Sequence, residues 1–221
     1  MIRANCLRLV ALLGVALMLG GCVSKSVKST SVPSVNGASV EVKEALLLDV
    51  GIAVFDPGIA DYDESDDERI YPEVRRAEAR YMPSILSEAM QNSGAWGAVR
   101  VVPDDQQITD LMVRGKILHS DGEELELHIT AIDSRGYVWL DQKYTGNASS
   151  YAYKMTTRNS FDPFQAVYNT IANDLLQKQE ELRQEDRENI RTVTELLFAR
   201  SFSADAFDGY LGQNRKEHYI I

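Results

Sequence analysis

Cysteine is nearly absent from this chain. Cys6 and Cys22 are the only two in 221 residues. Beyond position 22 the chain can therefore form no internal disulfide and offers no thiolate as nucleophile or metal ligand. Its stability has to come from an ordinary apolar core, and about 200 residues suffice for one domain of moderate size. Histidine is scarce as well, at three residues: His119, His128 and His218. Basic residues are in deficit, 23 Lys and Arg against 33 Asp and Glu, for a formal net charge of −10. That balance argues against a nucleic-acid partner, whose phosphates call for a basic surface. The uncharged apolar run from Leu9 to Leu19 falls well short of the ~20 residues a helix needs to cross a bilayer. Motifs of catalysis are missing too: there is no G-x-S-x-G elbow, no H-E-x-x-H and no phosphate-binding glycine loop.

What is present begins at the N-terminus. Arg3 and Arg8 flank a short charged start, the apolar run follows, and it closes on Leu19-Gly20-Gly21-Cys22. A basic start, a short apolar stretch and small residues before a cut are the marks of a secretory signal. With a cysteine directly after the small pair, the segment resembles the lipobox of bacterial lipoproteins. That resemblance implies cleavage after residue 21, lipidation of Cys22 and permanent attachment through several acyl chains, since one chain alone binds marginally. Val23 and Ser24 follow, with no aspartate there. By analogy with envelope sorting, this implies the outer membrane, with the domain facing the periplasm. Losing Arg3 and Arg8 with the signal takes the charge to about −12, so the domain supplies no electrostatic substitute for the anchor.

Residues 22–43 are rich in Ser, Val and Lys, without a sustained period, and read as a lipidated N-terminus and flexible tether. Ala45 to Phe55 is apolar and β-branched, ended by Asp56-Pro57-Gly58, which predicts a buried strand and a turn. Asp61 to Glu68 is an acidic loop. Pro72 suits the first turn of a long helix whose apolar face would be Val74, Ala77, Tyr81, Ile85 and Ala89, with Pro83 kinking or splitting it. After a short strand at 97–102, three strands are expected at 111–119, 124–132 and 137–144, joined by turn residues as an antiparallel meander. From Asp162, expected to cap a helix with Pro163 behind it, the period becomes helical. The charged stretch 177–191 reads as a solvated helix face. The expected class is α+β: a mixed sheet with a hairpin meander packed against a long helix, followed by C-terminal helices.

Gly51-Ile52-Ala53-Val54-Phe55, the helix through Ala77-Glu78-Ala79-Arg80, Val99-Arg100-Val101-Val102-Pro103 and Asp110-Leu111-Met112-Val113-Arg114-Gly115 carry a further resemblance. Their order is similar to the periplasmic domain shared by the TolB N-terminal region and the curli-secretion lipoprotein CsgG. It recurs in uncharacterised proteobacterial envelope lipoproteins. The resemblance covers roughly residues 45–146 and, with the readings above, divides the chain into a signal at 1–21, the tether at 22–43, an α+β domain at 44–155 and a helical segment at 156–221. It implies a non-enzymatic binding or assembly role, with other envelope proteins or further copies of the chain as partners. Gly115 falls where the family's hairpin begins beside the helix, although a strand glycine can equally mark a bulge. A pore of the CsgG kind needs spare membrane-crossing hairpins, and none is evident.

Candidate sites are few. Tyr137 and Trp139 alternate with Val138 and Leu140, and Tyr151 and Tyr153 lie in a polar segment. These four aromatics are the expected partner-binding residues, with core packing the competing reading for the first two. His119 and His128 flank the first hairpin and, with Glu126, are weighed as a metal site. Asp61, Asp63 and Ser65 have the spacing of a calcium-loop start but lack its glycine and distal glutamate. Neither pattern is strong enough to assign a metal, no catalytic residue is assigned, and no cofactor is expected.

Overall fold

Ten successive residues of strand β5 (Glu124–Asp133) alternate between half-exposed and buried. The computed structural model describes residues 26–29, 33–59, 71–148, 162–207 and 209–221, and in it Leu125, Leu127, Ile129 and Ala131 are completely buried. Strands β4 (Leu111–Ser120) and β6 (Val138–Asn147) flank β5 antiparallel, as the turn residues predict. Beside β4 lie β2 (Val50–Ala53) and β3 (Val99–Val102), both parallel, and β1 (Ser26–Ser29) adds in parallel to β6. The result is a six-stranded mixed sheet of order β1-β6-β5-β4-β2-β3, and the α+β class is as expected.

Two helices cover the buried face: α1 (Pro72–Asn92) and α2 (Gln165–Glu180). The stripe that α1 buries differs from expectation. Ala79, Met82, Pro83, Leu86, Ala89 and Met90 are inside, whereas Val74 and Tyr81 are more than half exposed. Arg75 occupies the first turn of the true stripe, only 3% exposed, with its guanidinium 3.9 Å from Glu78. Its charge masks the pattern when apolar residues alone are counted.

The helix is not split at Pro83, and α1 runs through it as one element. A proline leaves the carbonyl four residues back without its helical donor. That carbonyl is Ala79 O, and it accepts the Phe55 N–H at 3.0 Å just past the end of β2. The carbonyl that the proline leaves free thus bonds the helix to the sheet. Phe55 is buried, and its ring lies over Gly115 of β4, where a Cβ would stand 2.6 Å from the ring. Gly115 is therefore a seat for an aromatic ring within the strand, and the bulge in this ladder falls further on, between Ile117 and His119.

Residues 26–29 and 33–43 of the expected flexible tether have a defined place in the fold. Beyond β1, residues 33–39 lie along α2, held by polar side chains that recur on one of its faces. Asn169 donates to Pro33 O at 2.8 Å, and Asn173 donates to Ser34 O and accepts from Asn36 N. Glu180 accepts both the N–H and the hydroxyl of Ser39 at 2.7 Å. These donors hold the Glu180 carboxyl below its ordinary pKa. Side chains that look merely solvated in a helical pattern are the hooks for this strap.

After α2 the chain bends into α3 (Gln184–Phe202), then a short helix α4 (Ala204–Phe207) and a two-stranded hairpin, β7 (Gly212–Gln213) and β8 (Tyr219–Ile220). Asp162 accepts the Phe164 N–H at 2.8 Å in the turn before α2 rather than capping the helix itself. The charged stretch 177–191 is only partly a solvated face. Gln179 and Arg187 are buried; Arg187 Nη2 donates to Gln179 O at 2.7 Å, and Gln179 Nε2 donates to Ala95 O. These bonds pin the bend between the two helices to the loop after α1.

Candidate functional site

Three aspartates stand at one end of the sheet: Asp49 before β2, Asp110 before β4 and Asp133 at the end of β5. An aspartate next to a strand can accept the N–H groups that sheet pairing leaves free. Asp49 Oδ1 accepts Ala98 N at 2.7 Å, and Gly97 leaves space for that carboxylate where a Cβ would collide with it. Asp110 Oδ2 accepts Asp49 N at 2.8 Å and lies 3.3 Å from Arg191 Nη1, which also donates to Leu47 O at 2.6 Å. The Asp110 carbonyl accepts Ser134 N, and the Ser134 hydroxyl donates to Ile190 O at 2.7 Å. Helix α3 is thereby fastened across the sheet end.

Asp133 gathers the most bonds. Its carboxylate accepts the N–H groups of Arg135 and Tyr137, two guanidinium N–H groups of Arg135 at 2.8 and 3.2 Å, and the Trp139 indole N–H at 3.1 Å. The side chain is wholly buried. Arg135 reaches on to Asp186 at 3.3 Å.

Beside these clips a cleft of about 240 Å³ opens between the sheet end and α3. Asp49, Asp110, Arg191, Thr194 and Glu195 line it, with Arg100, Ile108, Thr109 and Phe198. Burial pushes the Asp110 carboxyl above its ordinary pKa, opposed by the hydrogen bonds from Thr194 and the Asp49 N–H and by the Arg191 charge. Charges of both signs at this spacing suit a small polar or zwitterionic group. No histidine or cysteine is among the lining residues.

The residues expected from sequence are scattered relative to this cleft. Tyr137 is 43% exposed, stacked on His218 at 3.9 Å with the Arg135 guanidinium 4.9 Å from its ring. Trp139 is half-buried at the bulge in the β5–β6 ladder, bonded to Asp133 and 6.4 Å from Trp96. The two do not form one exposed aromatic patch. Cys22, Tyr151, Tyr153 and the acidic loop at 61–68 lie outside the described residues. The two histidines are not opposite one another. His119 is in register with Glu126 and touches Asp121 at 3.3 Å, while His128 sits between Lys116 and Lys143 and bonds Asp141 at 2.7 Å. The aspartate clips and the cleft went unforeseen. Their one visible signal is an aspartate at or next to the end of each of three strands, a pattern that turns share.

The class these observations define is an α+β domain, one face of its mixed sheet covered by helices and one sheet end clipped by buried carboxylates. No family model matches the chain, and no curated protein does. Among solved structures it is similar to protein XCC0632 from Xanthomonas campestris, of the DUF330 family, at 13% identity and a TM-score of 0.41, covering 69% of this chain and 93% of that one. A PelC dodecamer from Paraburkholderia phytofirmans gives 16% identity and a TM-score of 0.34 over 67% and 96% of the two chains. The hypothetical protein CT253 from Chlamydia trachomatis gives 9% and 0.38 over 61% and 99%. Likeness at this level concerns backbone arrangement, and no function is taken from it.

Proposed function

We propose that this protein is a lipid-anchored component of a bacterial cell envelope, attached at Cys22 and acting by binding other envelope components rather than by catalysis. One observation carries the reading: Leu19-Gly20-Gly21-Cys22 closes a short apolar run after a basic start, and no later cysteine exists. The anchor would hold the domain in the periplasm at the outer membrane, and the resemblance to TolB- and CsgG-type periplasmic domains supports an assembly role. Exposed Tyr137 offers a rigid aromatic contact, and Tyr151 and Tyr153 remain the other proposed partner-binding positions.

A hydrolase is the second reading, and the cleft favours it to one extent: it gathers Asp49, Asp110 and Glu195. Asp110 is only 3% exposed, however, and its Oδ2 already serves the Asp49 N–H and Arg191. That arrangement suits fastening α3 better than receiving a substrate. A secretion-channel component would need hairpins of ~9–11-residue strands free to cross a membrane. Among the described residues β4, β5 and β6 are all paired within the sheet, and β7 and β8 have two residues each.

The test is Cys22→Ser. The variant should leave the membrane fraction and lose incorporation of labelled palmitate, and the unchanged protein should crosslink in intact cells to envelope partners. A variant that stays membrane-bound, or crosslinks only to its own copies in the unchanged protein, would overturn the anchor or the adaptor role respectively.

A further inference from the structure

The start of strand β1 limits how far from the domain an anchor can lie. Ser26 lies level with Lys143 and Ser29 with Gly146, in parallel. Lys143 is the sixth of the ten residues of β6, so β1 starts about midway between the two ends of the sheet. Four residues of chain join Cys22 to Ser26. Fully extended chain spans at most ~3.3–3.6 Å per residue, so the attachment point lies within about 14 Å of Ser26. This step rests on the proposed lipidation of Cys22.

That reach covers part of the way to either end of the sheet, and the end at which β6 begins exposes apolar side chains. Val138 is 58% exposed, Ile220 51% and Ile221 60%, beside Tyr137 at 43%. They are brought together by the C-terminal hairpin, whose Tyr219 N–H donates to Arg135 O at 2.8 Å while His218 stacks on Tyr137. At the hairpin's turn Arg215 and Lys216 are exposed and outnumber Glu217, in a chain whose net charge is −10. The opposite end, the length of a ten-residue strand away at about 33 Å, carries the acidic turn Asp121-Gly122-Glu123-Glu124. Apolar residues with an aromatic among them and cations beside them fit the interface of a bilayer. The acidic far end fits water.

We propose that the end of the sheet formed by Val138, Ile220 and Ile221 lies on the membrane, with these side chains entering the headgroup region, Tyr137 at its edge and Arg215 and Lys216 against its phosphates. A short leash makes the contact effectively intramolecular, so weak apolar insertion suffices to orient the domain. The cleft beside α3 then opens near the bilayer, and the acidic turn points away from it.

Cysteine scarcity makes the test clean. Processed, lipidated full-length protein has no free thiol, so one added cysteine takes one environment-sensitive fluorophore. Val138→Cys, Ile220→Cys and, as the distal control, Glu123→Cys would be placed in vesicles of phosphatidylethanolamine and phosphatidylglycerol containing nitroxide-labelled lipid. Burial of about 5–10 Å at the interface should make lipid quenching at 138 and 220 at least about threefold stronger than at 123. Equal, water-like signals at all three positions would overturn the proposal. So would shielding at 138 and 220 without lipid quenching but with self-quenching that grows with protein density, which means a second copy covers this face. Labelling of the unaltered protein at a free Cys22 would instead sink the anchor on which the proposal rests.

Discussion

Replacing Gly115 by alanine asks whether this glycine serves packing or backbone freedom. The added Cβ would stand 2.6 Å from two carbons of the Phe55 ring and 2.7 Å from a third. Carbon atoms rest about 3.5–4.0 Å apart, so the ring has to withdraw by about 1 Å. Phe55 has little room for this: it is 2% exposed, and its N–H is bonded to Ala79 O. Overpacking of this kind costs about 1–3 kcal/mol. Gly115 is not among the glycines with positive φ, so alanine is compatible with its backbone and would by itself stabilise by about 0.4–1 kcal/mol through the unfolded chain. The net expectation is a loss of about 1–2 kcal/mol. Urea unfolding, followed by fluorescence of Trp96 and Trp139, would measure it. Phe55→Leu makes room for the new methyl group, so the penalty of Gly115→Ala should shrink in that background, with a coupling of about 1 kcal/mol. An alanine variant as stable as the parent, or an undiminished penalty in the Phe55→Leu background, would refute the steric account.

Two further outcomes follow from the aspartate clips. Asp133→Ala strands Arg135 and the Trp139 indole in a largely buried setting, and removing one partner of such a pair should cost on the order of 3–5 kcal/mol; a shift below about 1 kcal/mol in urea unfolding would count against Asp133 as the main clip. Asp110 gives a dependence on pH. Burial raises its pKa above the unfolded value, so its ionisation opposes folding above the raised pKa, and that cost is relieved as pH falls through it. Relative to Asp110→Asn, the unchanged protein should therefore gain stability between neutral pH and the ordinary carboxylate range, and a flat or opposite difference in unfolding midpoints would refute the sign.

Buried aspartates of this kind connect the fold to the candidate site. Asp110 binds the start of β2 and helix α3 through its carboxylate Oδ2, and the turn after β5 through its backbone carbonyl. The cleft exists because those elements are held at that spacing, and its charges are partly the same groups that hold it. A substitution there would alter binding and stability together, so the Asp110→Asn comparison separates them best when binding is measured on protein shown to be folded.

Local pattern was enough for the elements themselves. Alternation along β5, the turn residues at 120–122 and 133–136 and the proline at the first position of α1 are read from neighbours a few positions apart, and local chemistry sets them. The lipobox resemblance at Cys22 is likewise a matter of adjacent residues. What escaped depends on groups far apart in the chain. Pro83 looks like a helix breaker until the Phe55 N–H, 28 positions earlier, takes up the carbonyl it frees. Arg75 and Arg187 look solvated until packing buries them, and Asn169, Asn173 and Glu180 look like surface until the strap at 33–39 arrives. Sequence alone determined the class of fold, the order of its elements from β2 to β6 and the proposed anchor, because periodicity and turn chemistry act within a few residues, whereas β1 and the hairpin of β7 and β8 were not legible in it. Only the tertiary structure decided which stripe of α1 is buried, which aspartates are clips and where the exposed apolar residues converge, because each rests on a hydrogen bond or contact between distant segments.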